Sequence, residues 1–493
     1  MKALLIHPPF PATFWSFAHA LPFVRKKAAL PPLGLLTVGA LLPASWEKRL
    51  VDVNVRDLTD ADLSWADYAF IGGMAIQREG AQEVIRRCGE AGVPVVAGGP
   101  LYTSDFEDLP EVDHFILDEA EVTLPRFLAD LHAGRAERVY RADGFADVTR
   151  SPVPLWELAD LRQYQSVGIQ YSRGCPYDCE FCNVTALFGR VPRVKAADQV
   201  TRELNALRRS GWRGQVFFTD DNLVGYRKHV KRELLPALID WRRSQSAMGP
   251  FYTQASINMV DDDELLDMMV DAGFDTIFIG IETPEEEGLL ESNKKHNMKR
   301  DLLDDVRNLH RRGIQVQAGF IVGFDSDEPS IFERQIRFIQ NSGIVTAMVG
   351  LLQAPAGTRL YERLREEGRL LGRITGDNSD GTTNIVPKMD RDVLMDGYRR
   401  ILEHIYSPKH YYQRVRTFLA EYRPPRIRGR WGPQQVLALC RSVYRLGIRG
   451  EERRQYWSLL LWTLVRRPRL LPLAVTLAIY GYHFRRVAEV QTH

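Results

Sequence analysis

The 493-residue chain reads as an α/β protein in three successive parts. These are a doubly wound parallel sheet, a six-unit partial (βα) barrel and a mostly helical C-terminal region. Three observations predict this. Short apolar runs bounded by glycine and proline alternate with helical stretches over the first 140 or so residues. The alternation restarts near residue 166 and repeats six times. It stops near residue 353, beyond which the chain is arginine-rich and helical in pattern. Short apolar strands separated by helices imply parallel sheets covered by those helices. The length exceeds one ordinary core, and 45% hydrophobic with 26% charged residues is normal for a folded chain. Disorder and low-complexity architectures are excluded.

Residues 1–145 supply expected strands at Lys2–His7, Arg49–Val55, Asp67–Gly73, Val93–Gly99 and Asp113–Leu117, with helices over Pro32–Leu42 and Gly80–Ala91. Parallel sheets bind ligands at the carboxyl ends of their strands. Those ends carry Gly72-Gly73-Met74 and Gly98-Gly99-Pro100, and glycine lets a bulky ligand approach the backbone. Residues 146–165 read as a linker, because Ser151-Pro152-Val153-Pro154 suits neither a helix interior nor a central strand. Residues 166–353 supply the barrel, with strands expected at Val167–Tyr171, Gln215–Asp220, Tyr252–Ile257, Thr276–Ile281, Gln317–Val322 and Thr346–Leu352. Ala196–Arg209 and Asp301–Arg312 are among its helices, and its chemistry belongs on the loops at the strand C-termini. Residues 354–493 form the helical part.

The chemistry is announced by cysteine. Of five cysteines, three lie within eight positions: Cys175, Cys179 and Cys182. This is no disulfide framework, and with no secretory signal at the start the expected compartment is cytoplasmic. Three thiolates on one loop can converge on a single metal centre, and soft sulfur suits zinc or an iron–sulfur cluster. Structural zinc wants a fourth ligand. None is near, since Cys88 and Cys440 are remote and the nearest histidines are His114 and His229.

The Cys-x3-Cys-x2-Cys spacing, with Phe181 before the last cysteine, resembles the radical S-adenosylmethionine (SAM) signature. The resemblance implies a 4Fe–4S cluster on Cys175, Cys179 and Cys182, with SAM chelating the open iron and cleaved to a 5′-deoxyadenosyl radical. It implies further that Asp221, Asn222, Ser256, Asn258 and Glu282, at the ends of later barrel strands, face SAM. Between Asp220 and Asp221 the reading leaves the choice open, since alternate residues point opposite ways.

The first part resembles the cobalamin-binding, Rossmann-like domain that precedes the partial TIM barrel in cobalamin-dependent radical SAM enzymes. Pro32, Gly34, Gly72, Gly73, Met74, Gly98, Gly99, Pro100 and Glu119 carry that likeness and are the implied cobalamin contacts. The Asp-x-His-x-x-Gly motif is absent, and His7 is followed by two prolines, so the resemblance implies a cobalt without a protein histidine. Gln170–Arg193, Phe217–Gly225 and Ala318–Asp325 are similar to the hopanoid C-methylases and, more loosely, the bacteriochlorophyllide C-methyltransferases. Gln254 stands where the hopanoid-type enzymes are expected to carry Glu. The implied reaction is methyl transfer from methylcobalamin to an unactivated carbon of a hydrophobic substrate, with a flavodoxin- or ferredoxin-type electron donor. A radical SAM enzyme of another reaction type, such as a tetrapyrrole cyclase, and a non-catalytic metal-binding scaffold are the alternatives.

The tail adds a separate signal. Residues 411–493 hold 16 Arg, no Lys and four acidic residues, about +12 within a chain of net charge +2. Its apolar runs, Tyr456–Val465 and Leu470–Tyr482, are shorter than the roughly 20 residues of a bilayer span. Trp457, Trp462, Tyr480 and Tyr482 lie among arginines, as in interfacial helices. Peripheral contact with an anionic membrane and a helical cap on the barrel are both expected readings. Nucleic acid is not expected, since these aromatics cluster with aliphatics and not as a stacking surface.

Overall fold

The computed structural model describes residues 1–245, 248–424 and 433–492. Two six-stranded parallel sheets follow one another. The first uses strands Lys2–His7, Glu47–Asp52, Tyr68–Gly72, Val95–Gly98, His114–Ile116 and Val139–Tyr140. Its spatial order is 2-1-3-4-5-6. The order reverses between the strands ending at His7 and Gly72, and a doubly wound sheet opens a ligand crevice at that point. Two apolar clusters cover its opposite faces. One is built on Ile71, Val95 and Phe115, the other on Leu5, Phe70 and Val96.

The second sheet runs in strict sequence order through Ser166–Ile169, Gln215–Phe218, Phe251–Gln254, Phe274–Glu282, Gln315–Val322 and Thr346–Leu351. The first and last strands do not pair, so the barrel is open on one side. Most expected strands recur with shifted bounds. The third and fourth barrel strands start earlier than predicted, at Phe251 and Phe274, because a glycine turn precedes each: Gly249 and Gly273. The two-residue strand Val139–Tyr140 has no sequence signal; pairing with Phe115 and Ile116 creates it.

The C-terminal helices Arg391–Tyr406, Pro408–Glu421, Pro433–Ser442, Arg453–Arg466 and Leu471–Thr492 pack beneath the barrel. They hold the beginnings of its strands. Tyr406 donates its hydroxyl proton to the Ala347 carbonyl (2.5 Å), and Tyr422 to that of Gly313 (3.2 Å). The buried Arg414 donates to the carbonyls of Ile405 and Val345. The last helix reaches back to the N-terminal segment, where His483 meets the Phe14 carbonyl at 2.9 Å and the Phe484 ring stacks on Phe14. Of the tail's arginines, Arg426, Arg428 and Arg430 lie outside the described residues. No helix among the described residues is long and apolar enough to cross a membrane.

Candidate active site

The cysteine loop leaves the first barrel strand through a short antiparallel pairing of Ser172-Arg173 with Arg193-Val194. Asp220, fully buried, anchors the exit. It accepts from the amides of Tyr171 and Ser172 and from the Ser172 hydroxyl (2.6 Å), while burial pushes its carboxyl up to about 7. Its neighbour Asp221 accepts from the Gly174 amide at 3.3 Å. The two aspartates thus do different work: Asp220 holds the strand end and Asp221 the turn. Gly174 makes the turn at φ +92°, where a Cβ would lie 2.9 Å from the Gly189 carbonyl oxygen, so only glycine fits.

The three thiols that follow are part-buried. The amide of Cys175 donates to the Gly189 carbonyl, and that of Cys182 to the Cys179 carbonyl (3.1 Å). Desolvation raises all three thiol pKa values, Cys182 to about 12. As free thiols they resist ionisation, and a bound metal centre would supply the positive charge that draws off their protons. Among the described residues, no group of three His, Cys, Asp or Glu side chains converges on a single ion. Thiolates bound to three different irons of a cubane do not need such convergence.

Three predicted residues join the loop in one hydrogen-bonded chain. Asn222 Nδ2 donates to Cys175 Sγ (3.8 Å) and to Ser256 Oγ (3.3 Å). Ser256 Oγ donates to Asn258 Oδ1 (2.8 Å), and Asn258 Nδ2 to the Tyr177 hydroxyl (2.8 Å). Tyr177 in turn stacks on His296, ring centroids 3.7 Å apart. Glu282, at the end of the fourth barrel strand, sits at φ +65° and pairs with Lys294 Nζ at 2.5 Å. Burial acts to strip the Lys294 proton, but Glu282, with Cys179 and Cys182, holds it in place. The ammonium lies 6.0 Å from the Phe181 ring. A buried cation beside three thiols suits an anionic cluster, and the donor set fits one with an open iron.

The other predicted residues gather elsewhere. Pro32, Gly34, Gly72, Gly73, Met74, Gly98, Gly99, Pro100 and Glu119 all line one cavity of about 1890 Å³. It runs from the carboxyl ends of the first sheet into the barrel bore. Gly99 (φ +102°) passes so close to Gly73 that a Cβ would meet its carbonyl oxygen at 3.2 Å. His7 also lines this cavity, with Gln77 Nε2 3.4 Å from its ring nitrogen. The space exceeds the roughly 300–1,000 Å³ of drug-sized sites, leaving room for a large ligand. Gln170, Arg173 and Phe188, on either side of the cysteines in the chain, line the cavity, whereas Cys175, Cys179, Cys182, Asn222, Ser256, Asn258 and Glu282 do not.

Several neighbours escaped the sequence reading. Lys294 is one. A polar run, Asn293 to Asn297, just after a short helix was its only trace. Another is the clamp between the two sheets. Glu119 pairs with Arg173 (2.7 Å) and Arg193 (2.8 Å), and Glu121 pairs with Arg173 (2.7 Å). The third is a lid on the cysteine loop. Helix Arg359–Glu366 sends the Leu360 amide to the Glu180 carbonyl, Arg363 to the Glu180 carboxylate and Arg359 to Asp178.

Comparison with known proteins agrees. Residues 169–339 match the Radical SAM superfamily, and residues 358–493 match a domain of unknown function, DUF4070. The chain is 37% identical over 496 residues to an uncharacterized methyltransferase of Synechocystis sp., spanning 99% of this chain and 92% of the relative. It is 34% identical to the hopanoid C-2 methylase of Rhodopseudomonas palustris over 94% of this chain and 90% of that protein. In fold it resembles the cobalamin-dependent S-adenosylmethionine radical enzyme OxsB, with a TM-score of 0.64 and 14% identity, covering 95% of this chain and 79% of that one. The chain belongs to the radical SAM superfamily and, within it, to the family of methyltransferases that includes the hopanoid C-2 methylase.

Proposed function

We propose that the protein is a cobalamin-dependent radical SAM C-methyltransferase acting on an unactivated carbon of an isoprenoid-type lipid. The observation that carries this reading is the single apolar-walled cavity joining the glycine-lined ends of the first sheet to the barrel bore. In this reading residues 1–145 hold the corrinoid, 166–353 form the reaction chamber and 354–493 close it. When bound, the cluster with SAM supplies a hydrogen-abstracting radical and the corrinoid a transferable methyl group. Cys175, Cys179 and Cys182 hold the cluster. Glu282, Asn222, Ser256 and Asn258 orient SAM, and Lys294 balances charge at Glu282. The Glu119–Arg173 clamp sets the spacing between the two cofactor sites. A flavodoxin- or ferredoxin-type protein delivers the electron.

The experiment is anaerobic reconstitution with cluster and cobalamin, followed by transfer of labelled methyl from SAM into a lipid extract. The expected product is heavier by one CH2, and its formation requires both cofactors. Undiminished transfer by cobalamin-free enzyme overturns the corrinoid role.

The tail supports a membrane-side entry for such a substrate. Trp457, Leu461, Leu464 and Val465 are exposed on one helix, Val465 by 78%, although all four are apolar. Exposed Arg449, Arg453, Arg454, Arg466 and Arg469 flank them. Each arginine near an anionic leaflet contributes about 1 kcal/mol. Arg469 and Thr476, both exposed, also line the cavity, so the mouth opens beside this face. Vesicles containing phosphatidylserine are expected to float the protein at low salt and release it at high salt. Flotation that salt does not weaken, or none at all, removes the membrane from the reading.

A further inference from the structure

The chain around the three cysteines has an inner and an outer side. Gln170, Arg173 and Phe188 line the cavity. Arg190 and Val191, just past Phe188, do not; both are exposed, Val191 by 77%. Backbone ties this stretch to the ligand loop, since the Cys175 amide donates to the Gly189 carbonyl. Residues 356–359 close on it from above, where a Cβ at Gly357 would lie 3.5 Å from that of Ala186. Residues 292–297 run along the other flank. The Ser292 carbonyl accepts from the Glu180 amide (2.9 Å), Asn293 Nδ2 donates to the Asp178 carbonyl (2.8 Å), and His296 stacks on Tyr177.

Charge on the outer side is lopsided. Asp178, the residue before Cys179, is shared by two exposed guanidiniums, Arg359 at 2.7 Å and Arg190 at 3.5 Å. Glu180, the residue after Cys179, is held by Arg363 at 2.8 Å. Lys295, exposed on the 292–297 flank, has no carboxylate partner among the described residues. The carboxylates beside the cysteine ligands are therefore covered by cations, and Arg190, Arg359 and Lys295 meet water around them. Val191 and Leu290 (57% exposed) add apolar area to the same rim. Exposed Glu286 and Glu287 begin the helix that carries Leu290 and mark the limit of the basic zone.

An electron reaches a part-buried cluster only from close by, so a protein donor must dock where the ligand loop meets water. Exposed apolar side chains among arginine and lysine fit an acidic protein. Opposite charge steers the encounter, and redox encounters bury little area.

We propose that the outer side of the cysteine loop, marked by Arg190, Val191, Lys295 and Arg359, is the docking surface for an acidic electron carrier of the flavodoxin type. The inference rests on the cluster assignment made above and adds where the partner binds. One electron leaves the carrier's reduced flavin and enters the cluster held by Cys175, Cys179 and Cys182; no atom is transferred.

The test uses the full-length, cluster-reconstituted protein without oxygen, and follows the loss of cluster absorption with time. Two reductants are compared: reduced flavodoxin, an acidic protein, and photoreduced deazariboflavin, which is small and uncharged. The double variant Arg190→Glu, Arg359→Glu is expected to slow reduction by flavodoxin roughly tenfold or more at low salt. Its reduction by deazariboflavin should match wild type, an outcome that a misfolded or cluster-poor variant cannot give. Lys295→Glu should act in the same direction and less. Added salt should slow the wild type toward the variant. Arg208→Glu with Arg209→Glu, exposed where a helix ends at the opposite end of the barrel, should behave as wild type. A flavodoxin rate that is unchanged in the loop variant, insensitive to salt, or slowed equally by the distant pair overturns the proposal. Failure of deazariboflavin to reduce the wild type, or no cluster after reconstitution, removes the cluster assignment itself and the docking surface with it.

Discussion

The two parallel sheets use similar strands and bury them differently. In the first, Lys2–His7 and Tyr68–Gly72 are buried along nearly their whole length, with apolar clusters on both faces. In the barrel, Gln215–Phe218 and Phe251–Gln254 alternate between sealed and accessible residues. The first sheet is a platform that presents its strand ends. The second is a container whose inner wall is working surface. A strand that is apolar throughout supports a site at its tip, while an alternating strand in a closed layer encloses one.

The comparison can be broken at its most sensitive point, the loop where container meets cofactor. Cys179→Ala is expected to abolish cluster absorption and methyl transfer completely. The fold should survive, because that thiol belongs to neither sheet's apolar clusters. A variant that still assembles a full cubane would refute the ligand role. Next in size is a matched pair of truncations. Phe115→Ala in the first sheet removes a fully buried ring and should cost about 3–5 kcal/mol in denaturant unfolding. Phe217→Ala removes a ring that faces the bore and stacks on Tyr252, and should cost about 1 kcal/mol. Equal costs would mean the bore is as well filled as the platform.

Arg173→Ala sharpens the relation between the sheets. It leaves Glu119 with Arg193 and the Ala146 amide but removes the only cation, among the described residues, on the nearly buried Glu121, and should cost about 3 kcal/mol. Burial raises the Glu121 carboxyl, but Arg173 and Ser151 override it and hold the group at about 2. The stability this pair contributes is therefore present above the ordinary carboxylate range and lost as pH falls toward 2. A variant whose acid unfolding profile matches wild type would show that the clamp does not hold the sheets together.

The smallest effect concerns the cap. Burial lowers His310 to about 3 and His483 to about 4, so both are neutral at pH 7. The unfolded chain takes up protons near pH 6.5, so stability is full above that value and declines as pH drops toward 4. At pH 5.5 the loss should be about 1 kcal/mol per histidine, read as a lower thermal midpoint. His483→Gln should flatten part of that slope; a midpoint constant from pH 7.5 to 5.5 in the wild type, or an unchanged slope in the variant, would contradict the assignment.

Local order was legible because it is written locally. The cysteine spacing, the glycines at Gly72-Gly73 and Gly98-Gly99 and the strand–helix rhythm each lie within a few residues of one another. So do the carboxylate and amides that end the barrel strands, since alternation and turn chemistry are short-range. Lys294 beside Cys179, Glu119 against Arg173 and the helix at Arg359 over Asp178 were not legible. Each joins positions far apart in the chain, and a lone charge carries no mark of its partner.

By itself, the sequence determined the order of the two sheets and the helical part, the cluster of three cysteines on one loop and the glycine-rich ends of the first sheet's strands, because propensity, glycine freedom and residue spacing act over short spans. Only the tertiary structure decided that the barrel is hollow. It alone placed the arginine-rich helices beneath that bore. Those facts depend on which faces meet after the chain closes on itself, and alternating patterns record a face without recording what it faces.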